Sequence, residues 1–174
     1  MWEGKNVTVF VTGGIAAFKA ATLVRLFVKA GANVEVAMTK SACEFITPLT
    51  FQVLTKNKVH TDTFDEDEAD LVQHIHLADK TDVAVVVPAT ANTIAKLANG
   101  IADNFVTSTL LATTAPIYVA PAMNEHMWEN PATVRNVAQL KADGKVIIEP
   151  TTGFLAEGYN GKGRLPEPEE IFER

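Results

Sequence analysis

Asn6-Val7-Thr8-Val9-Phe10-Val11-Thr12-Gly13-Gly14 is a β-branched run that ends in two glycines, and Ala16 to Ala30 beyond it repeats apolar residues at helical spacing until Gly31. The order is strand, tight turn, helix. Working outward, Asn33 to Met38 reads as a second strand, and Pro48 to Leu54 as a helix after the hydroxyl-bearing turn Thr39-Lys40-Ser41. Val83 to Val87 is valine and alanine alone before Pro88, the mark of a strand buried on both faces, and Ala91 to Asn99 follows as a helix. Asn104 to Thr113 is a further helix and Ile117 to Ala120 a strand. Pro131 to Ala142 is a helix with Asn130 as its cap and proline at its first position, and Lys145 to Glu149 is a last strand. The alternation predicts an α/β fold: a doubly wound, Rossmann-like or flavodoxin-like parallel sheet with helices on both faces.

The chain has 174 residues, 47% hydrophobic and 21% charged, which suits one domain over residues 1–174. Its formal net charge of -6, with scattered Lys and Arg, gives no basic patch for nucleic acid. The opening Met1-Trp2-Glu3-Gly4-Lys5 runs straight into the first strand, and no apolar run is long enough to span a bilayer, so the expectation is a cytoplasmic protein without a membrane partner. Cys43 is the only cysteine, which excludes an intrachain disulfide and a multi-cysteine metal site; no metal is expected. The acidic stretch Asp62 to Asp70 reads as a solvated loop and the likeliest place for disorder.

Ligands of doubly wound sheets bind beyond the carboxyl ends of the strands, so the turns there carry the function. Gly13-Gly14 opens a helix and lets backbone N–H groups face an anion. The full G-x-G-x-x-G pattern is missing, and the second strand ends in Met38-Thr39 without the acid that binds an NAD ribose. Thr39 and Ser41 offer hydroxyls suited to a monophosphate. The same residues serve equally well as a plain turn and helix cap. Thr90-Ala91-Asn92-Thr93 likewise fits either a ligand edge or an ordinary N-cap, and Asn124 in Pro121-Ala122-Met123-Asn124 either a carboxylate-binding amide or an Asx-turn.

Four motifs in order, Gly13-Gly14-Ile15-Ala16-Ala17, His74-Ile75-His76-Leu77-Ala78, Pro88-Ala89-Thr90-Ala91-Asn92-Thr93 and Pro121-Ala122-Met123-Asn124-Glu125-His126-Met127-Trp128, resemble the flavin-containing cysteine decarboxylases. Within that family the tail Gly153 to Pro168 looks most like the phosphopantothenoylcysteine decarboxylases of coenzyme A biosynthesis, above all the amino-terminal half of bifunctional proteins that continue into a synthetase. The resemblance implies flavin mononucleotide (FMN) as cofactor, contacted by Gly13, Gly14, Ile15, Thr39, Ser41, Thr90, Ala91, Asn92 and Ala122. It implies His74 as the active-site histidine, Asn124 with Met127 as substrate holders, and a homo-oligomer built on trimers. A fused or separate phosphopantothenoylcysteine synthetase is the implied partner.

The implied chemistry starts with oxidation of the substrate thiol to a thioaldehyde, whose C=S group takes up the electron pair left by carbon dioxide. Residues 153–166 correspond to a mobile substrate flap, in which Lys162 or Arg164 meets the substrate phosphate. Glu157 stands where the family flap carries a cysteine. Three readings follow for it. Buried under a closed flap, it donates the proton itself; alternatively the chain releases an enethiol, as the peptide-modifying members do; or Glu157 is a solvated loop residue and another group donates. His74 taken alone is equally a structural histidine. A flavin prenyltransferase is not expected to carry Pro-Ala-Met-Asn, and a non-catalytic regulatory subunit, a role known among relatives, needs neither His74 nor Asn124.

Overall fold

The structure, a computed structural model, describes residues 1–64 and 72–174. β1 (Asn6–Val11), β2 (Asn33–Met38), β3 (Val83–Ala89), β4 (Ile117–Pro121) and β5 (Val146–Ile147) form one parallel sheet in the order β2-β1-β3-β4-β5. This is the flavodoxin-like order, whose switch point lies between β1 and β3. Val7, Val9 and Val11 point into one core while Phe10 points into the other, so β1 is buried on both faces as its sequence demands.

Helices α1 (Ala17–Lys29), α2 (Pro48–Thr55) and α8 (Pro168–Phe172) cover the first core; α3 (Gln73–Lys80), α4 (Ala91–Asn99), α5 (Phe105–Ala112) and α7 (Pro131–Ala142) cover the second. On α1 the buried residues Ala17, Ala20, Leu23, Val24 and Phe27 make one stripe at three- and four-residue spacing. One-turn helix α6 (Glu125–Glu129) follows β4, and β6 (Thr151–Phe154) pairs with β7 (Asn160–Arg164) in an antiparallel hairpin.

Where structure and sequence expectation part, the cause is local. β3 runs on through Pro88 to Ala89, because Pro88 sits in a register irregularity against β4, where a missing N–H costs no ladder bond. The expected strand Lys145 to Glu149 shrinks to Val146–Ile147 at the sheet edge. Helix α3 was not expected: only Leu77 and Ala78 of it are buried, too few to print a period. The acidic stretch Asp62 to Asp70 falls largely outside the described residues. Among the described residues no helix is long and apolar enough to cross a membrane, and no group of three or more His, Cys, Asp or Glu is placed to hold a metal ion.

The switch point is tied by one buried hydroxyl. Thr12 Oγ1 donates to the Pro88 carbonyl (2.5 Å) and accepts from the Thr90 N–H (3.1 Å), fixing the end of β1 to the end of β3. On the other side of Thr12, Gly13 packs so closely on the β2 end that a Cβ would overlap Ser41 Cβ and lie 3.0 Å from its carbonyl carbon. Gly13→Ala is therefore expected to cost about 1–3 kcal/mol, read as a lower urea midpoint; an unchanged midpoint would show that the two strand ends part freely.

Candidate active site

The carboxyl ends of β1, β2 and β3 open onto a cleft of about 470 Å³, within the range of ordinary cofactor sites. Gly13, Thr39, Ser41, Thr90 and Asn92 line it, five of the residues singled out from sequence. Two of them serve local structure as well: Thr39 Oγ1 accepts from the Ala42 N–H at 3.1 Å, and Thr90 Oγ1 caps α4 by accepting from the Thr93 N–H at 3.1 Å. Gly14, next to the start of α1, faces open space, and Ile15 beside it is 63% exposed. Ala91 is the first residue of α4. Ala122 donates its N–H to the Ala89 carbonyl (3.2 Å), prolonging the contact between β3 and β4 past the strand end.

Residues the sequence reading missed close the far wall. Asn104 caps α5 through a capping box with Thr107 and lines the cleft, as does Phe105. Asn-Phe-Val-Thr before an apolar helix is the sequence form of that box, with threonine in place of the usual Glu or Gln. Lys96 and Asp103 pair at 3.0 Å on the same wall.

Phe105 also links the cleft to His74. The His60 ring stacks on Phe105 at 4.9 Å between centroids, and the half-buried His74 ring meets Phe105 edge-on at 6.4 Å. The His74 Nδ1 atom is buried without a hydrogen-bond partner among the described residues, an arrangement that suits a ligand or a neighbouring chain. His60 Nε2 is held 3.0 Å from Glu35, whose carboxylate also pairs with Lys80. Burial pushes the Glu35 carboxyl up, but the hydrogen bonds and charges of His60 and Lys80 outweigh it and leave it below the usual carboxylate value.

A second group forms around Asn124. As N-cap of α6 its Oδ1 accepts from the N–H groups of His126 (2.8 Å) and Met127 (3.4 Å), which fixes the direction of the amide. The amide nitrogen then points at the hairpin tip and donates to Glu157 Oε1 and, at 2.9 Å, to the hydroxyl of Tyr159. Tyr159 was not among the candidates, since one loop tyrosine gives no signal until the hairpin forms.

The hairpin lies on the Asn124 loop through glycine. Gly163 accepts from the Met123 N–H at 2.9 Å and has φ +139°, where a Cβ would strike the Met123 carbonyl. Gly161 and Gly163 are buried and alternate with exposed Lys162 and Arg164. Arg164 is engaged by Glu167 at 2.9 Å, while Lys162 lies over the Trp128 ring and 3.8 Å from Glu149. Met127, in α6 next to Trp128, is 49% exposed.

Glu157 is exposed, because the two-residue step from Glu157 to Tyr159 puts both at the solvent-facing tip of the hairpin. Cys43 is no replacement for a flap cysteine, since burial and the neighbouring Glu44 push its thiol up, and it sits by the β2 end rather than in the hairpin. The candidates thus fall into two sets, His74 behind Phe105 and Asn124 with the hairpin, and no hydrogen bond among the described residues joins them.

The lowered Glu35 carboxyl contributes stability that is present above its unfolded value of 4.5 and lost as pH falls through the lower folded value. Glu35→Gln is expected to flatten the acid side of the stability curve, measured as urea midpoints from about pH 7 to about pH 3. Parallel curves for the two proteins would mean that the His60 and Lys80 contacts do not favour the carboxylate.

The chain is 56% identical over 171 residues to the coenzyme A biosynthesis bifunctional protein CoaBC of Bacillus subtilis (strain 168), covering 98% of this chain but 42% of that protein. It therefore spans about two fifths of that relative's length. Among solved structures, a PPC decarboxylase cysteine-to-serine mutant complexed with pantothenoylaminoethenethiol superposes with TM-score 0.87 at 35% identity, covering 98% of this chain and 96% of that one. The FMN-binding protein AtHal3 superposes with TM-score 0.84 at 34% identity, covering 98% and 94%. The match to the Flavoprotein family runs over residues 1–174, and the chain belongs to that family.

Proposed function

We propose that this chain decarboxylates 4'-phosphopantothenoylcysteine in coenzyme A biosynthesis, with FMN as cofactor and 4'-phosphopantetheine as product. The observation that carries the reading is the Asn124 amide, locked by its own cap so that both N–H groups face the hairpin side of the β4 end. A neutral, pre-oriented donor pair suits a carboxylate that must leave without its charge.

The cleft fits FMN. Gly14 faces open space at the start of α1, so a phosphate approaches the helix N-terminus unobstructed. Ser41, Thr90 and Asn92 line or flank the space beside it with hydroxyl and amide groups, and Ile15, Ala91 and Ala122 complete the set we assign to the flavin. When bound, FMN supplies the oxidation of the thiol that makes loss of carbon dioxide feasible. The chain's own residues do the rest: Asn124 and Met127 hold the substrate, His74 handles the thiol proton through its unpartnered nitrogen, and Lys162, more loosely paired than Arg164, receives the substrate phosphate.

In this reading Glu157, carried on the hairpin tip next to Asn124, donates the proton that completes the saturated product once the substrate carboxylate has taken its place on the amide. Its exposure favours a second reading of the last step, release of the enethiol. The solved cysteine-to-serine relative holds an enethiol compound, and Glu157 likewise offers no thiol.

A trimer-based homo-oligomer belongs to the proposal and would bring His74 of one copy to Asn124 of another. Phe45, Leu49 and Val53, spaced four apart and 51–64% exposed, give it an apolar surface. A synthetase, fused or separate, is the proposed partner, on the ground that the bifunctional relative is more than twice as long. A cytoplasmic location goes with the pathway.

The test is anaerobic incubation of the FMN-loaded protein with phosphopantothenoylcysteine, following flavin absorbance and product mass together. Carbon dioxide loss with saturated thiol and reoxidised flavin is expected; an enethiol with reduced flavin would move the last step to the second reading, and no turnover would overturn the proposal. Asn124→Asp keeps the helix cap but sets a negative charge against the substrate carboxylate. We expect kcat/KM to fall roughly 100-fold, since like charges brought together cost several kcal/mol; unchanged kinetics would remove Asn124 from the site.

A further inference from the structure

Asn124 has two N–H donors, and flap residues take both: Glu157 through Oε1 and Tyr159 through its hydroxyl, at 2.9 Å. Its oxygen is committed to the α6 N-terminus, so the amide has no donor left over and no freedom to flip. A carboxylate of the protein itself therefore sits on the group that a substrate carboxylate would use.

We infer that Glu157 is an internal stand-in for the substrate carboxylate, which latches the hairpin on Asn124 and makes binding an exchange of one carboxylate for another. The inference rests on the reading of Asn124 as a carboxylate site. Three features of the hairpin fit the role. Leu155 and Leu165 are buried anchors at either end of the stretch, and the tip between them is a tight turn, closed by Leu155 N–H to Tyr159 O (2.9 Å) and Gly158 N–H to Leu155 O (3.0 Å). Glu157 lies at that turn, exposed, so it leaves Asn124 for water without burying its charge. Gly161 and Gly163 let the base of the hairpin stay seated on the Asn124 loop while the tip lifts.

The consequence is selection by charge. A ligand with a carboxylate replaces what the latch gives up, whereas one without a carboxylate must break the contact and leave the amide unpaired. Glu157 thus determines specificity and costs some substrate affinity.

Hydrogen exchange across residues 153–163 tests this in the FMN-loaded protein, with 3-mercaptopropionate as a small carboxylate probe and 2-mercaptoethanol as its uncharged counterpart. Without ligand, Glu157→Ala and Tyr159→Phe should each speed exchange at the tip, the former roughly tenfold, with exchange in α7 unchanged as a check on folding. In the wild type 3-mercaptopropionate should speed exchange at the tip and 2-mercaptoethanol should not, and in Glu157→Ala the carboxylate should bind severalfold more tightly. Equal tip exchange in wild type and Glu157→Ala, or equal effects of the two probes, would overturn the inference. Faster tip exchange with 3-mercaptopropionate and not with 2-mercaptoethanol, in a protein that fails to turn over phosphopantothenoylcysteine, would uphold the latch and reject the natural substrate.

Discussion

β1 and β3 are buried on both faces, and that burial dictates how the chain must run. A strand with apolar residues on each side needs helices above and below, so every neighbouring strand is reached by a crossover and the sheet is parallel. Parallel strands end on one side. The turns after β1, β2, β3 and β4 are thereby gathered at a single edge, and the order β2-β1-β3 leaves a gap there because the crossovers diverge from it. Thr12 holds the gap's floor by bonding the β3 end from the β1 end.

On that floor the chemistry divides between a cleft and an amide. The cleft is built from small residues and hydroxyls that also cap helices, so the same atoms hold the fold and line the cleft. The Asn124 amide stands beyond β4 and gets its direction from the one-turn helix it caps. A cap that fixes one end of an amide aims the other, and here the aim is toward the hairpin. The hairpin is seated by two glycines: Gly163 lies against the Met123 backbone and Gly161 against the Glu125 side chain, both too close to admit a Cβ.

What the sequence made legible follows from what carries a period. The valine runs of β1 and β3, the capped helix Pro131–Ala142 and the four strand-end turns stood out because burial on both faces or a capping pattern writes itself into residue order. Five of the expected cofactor contacts do line the cleft. The losses are short or polar. α3 buries two residues, the hairpin is built on glycines and exposed side chains, and Phe105 enters the site only because α5 folds back beside α3. Glu157 could be read as a departure from a family pattern, but its partner Asn124 lies 33 positions away and no local rule connects them.

We propose that Asn124 receives the substrate carboxylate at the end of β4. A crystal structure of the FMN-loaded protein with phosphopantothenoylcysteine bound tests it most directly. The expected result is the substrate carboxylate within hydrogen-bond reach of the Asn124 amide nitrogen and Glu157 displaced from it. A substrate bound with its carboxylate elsewhere, while Glu157 remains on Asn124, would contradict it.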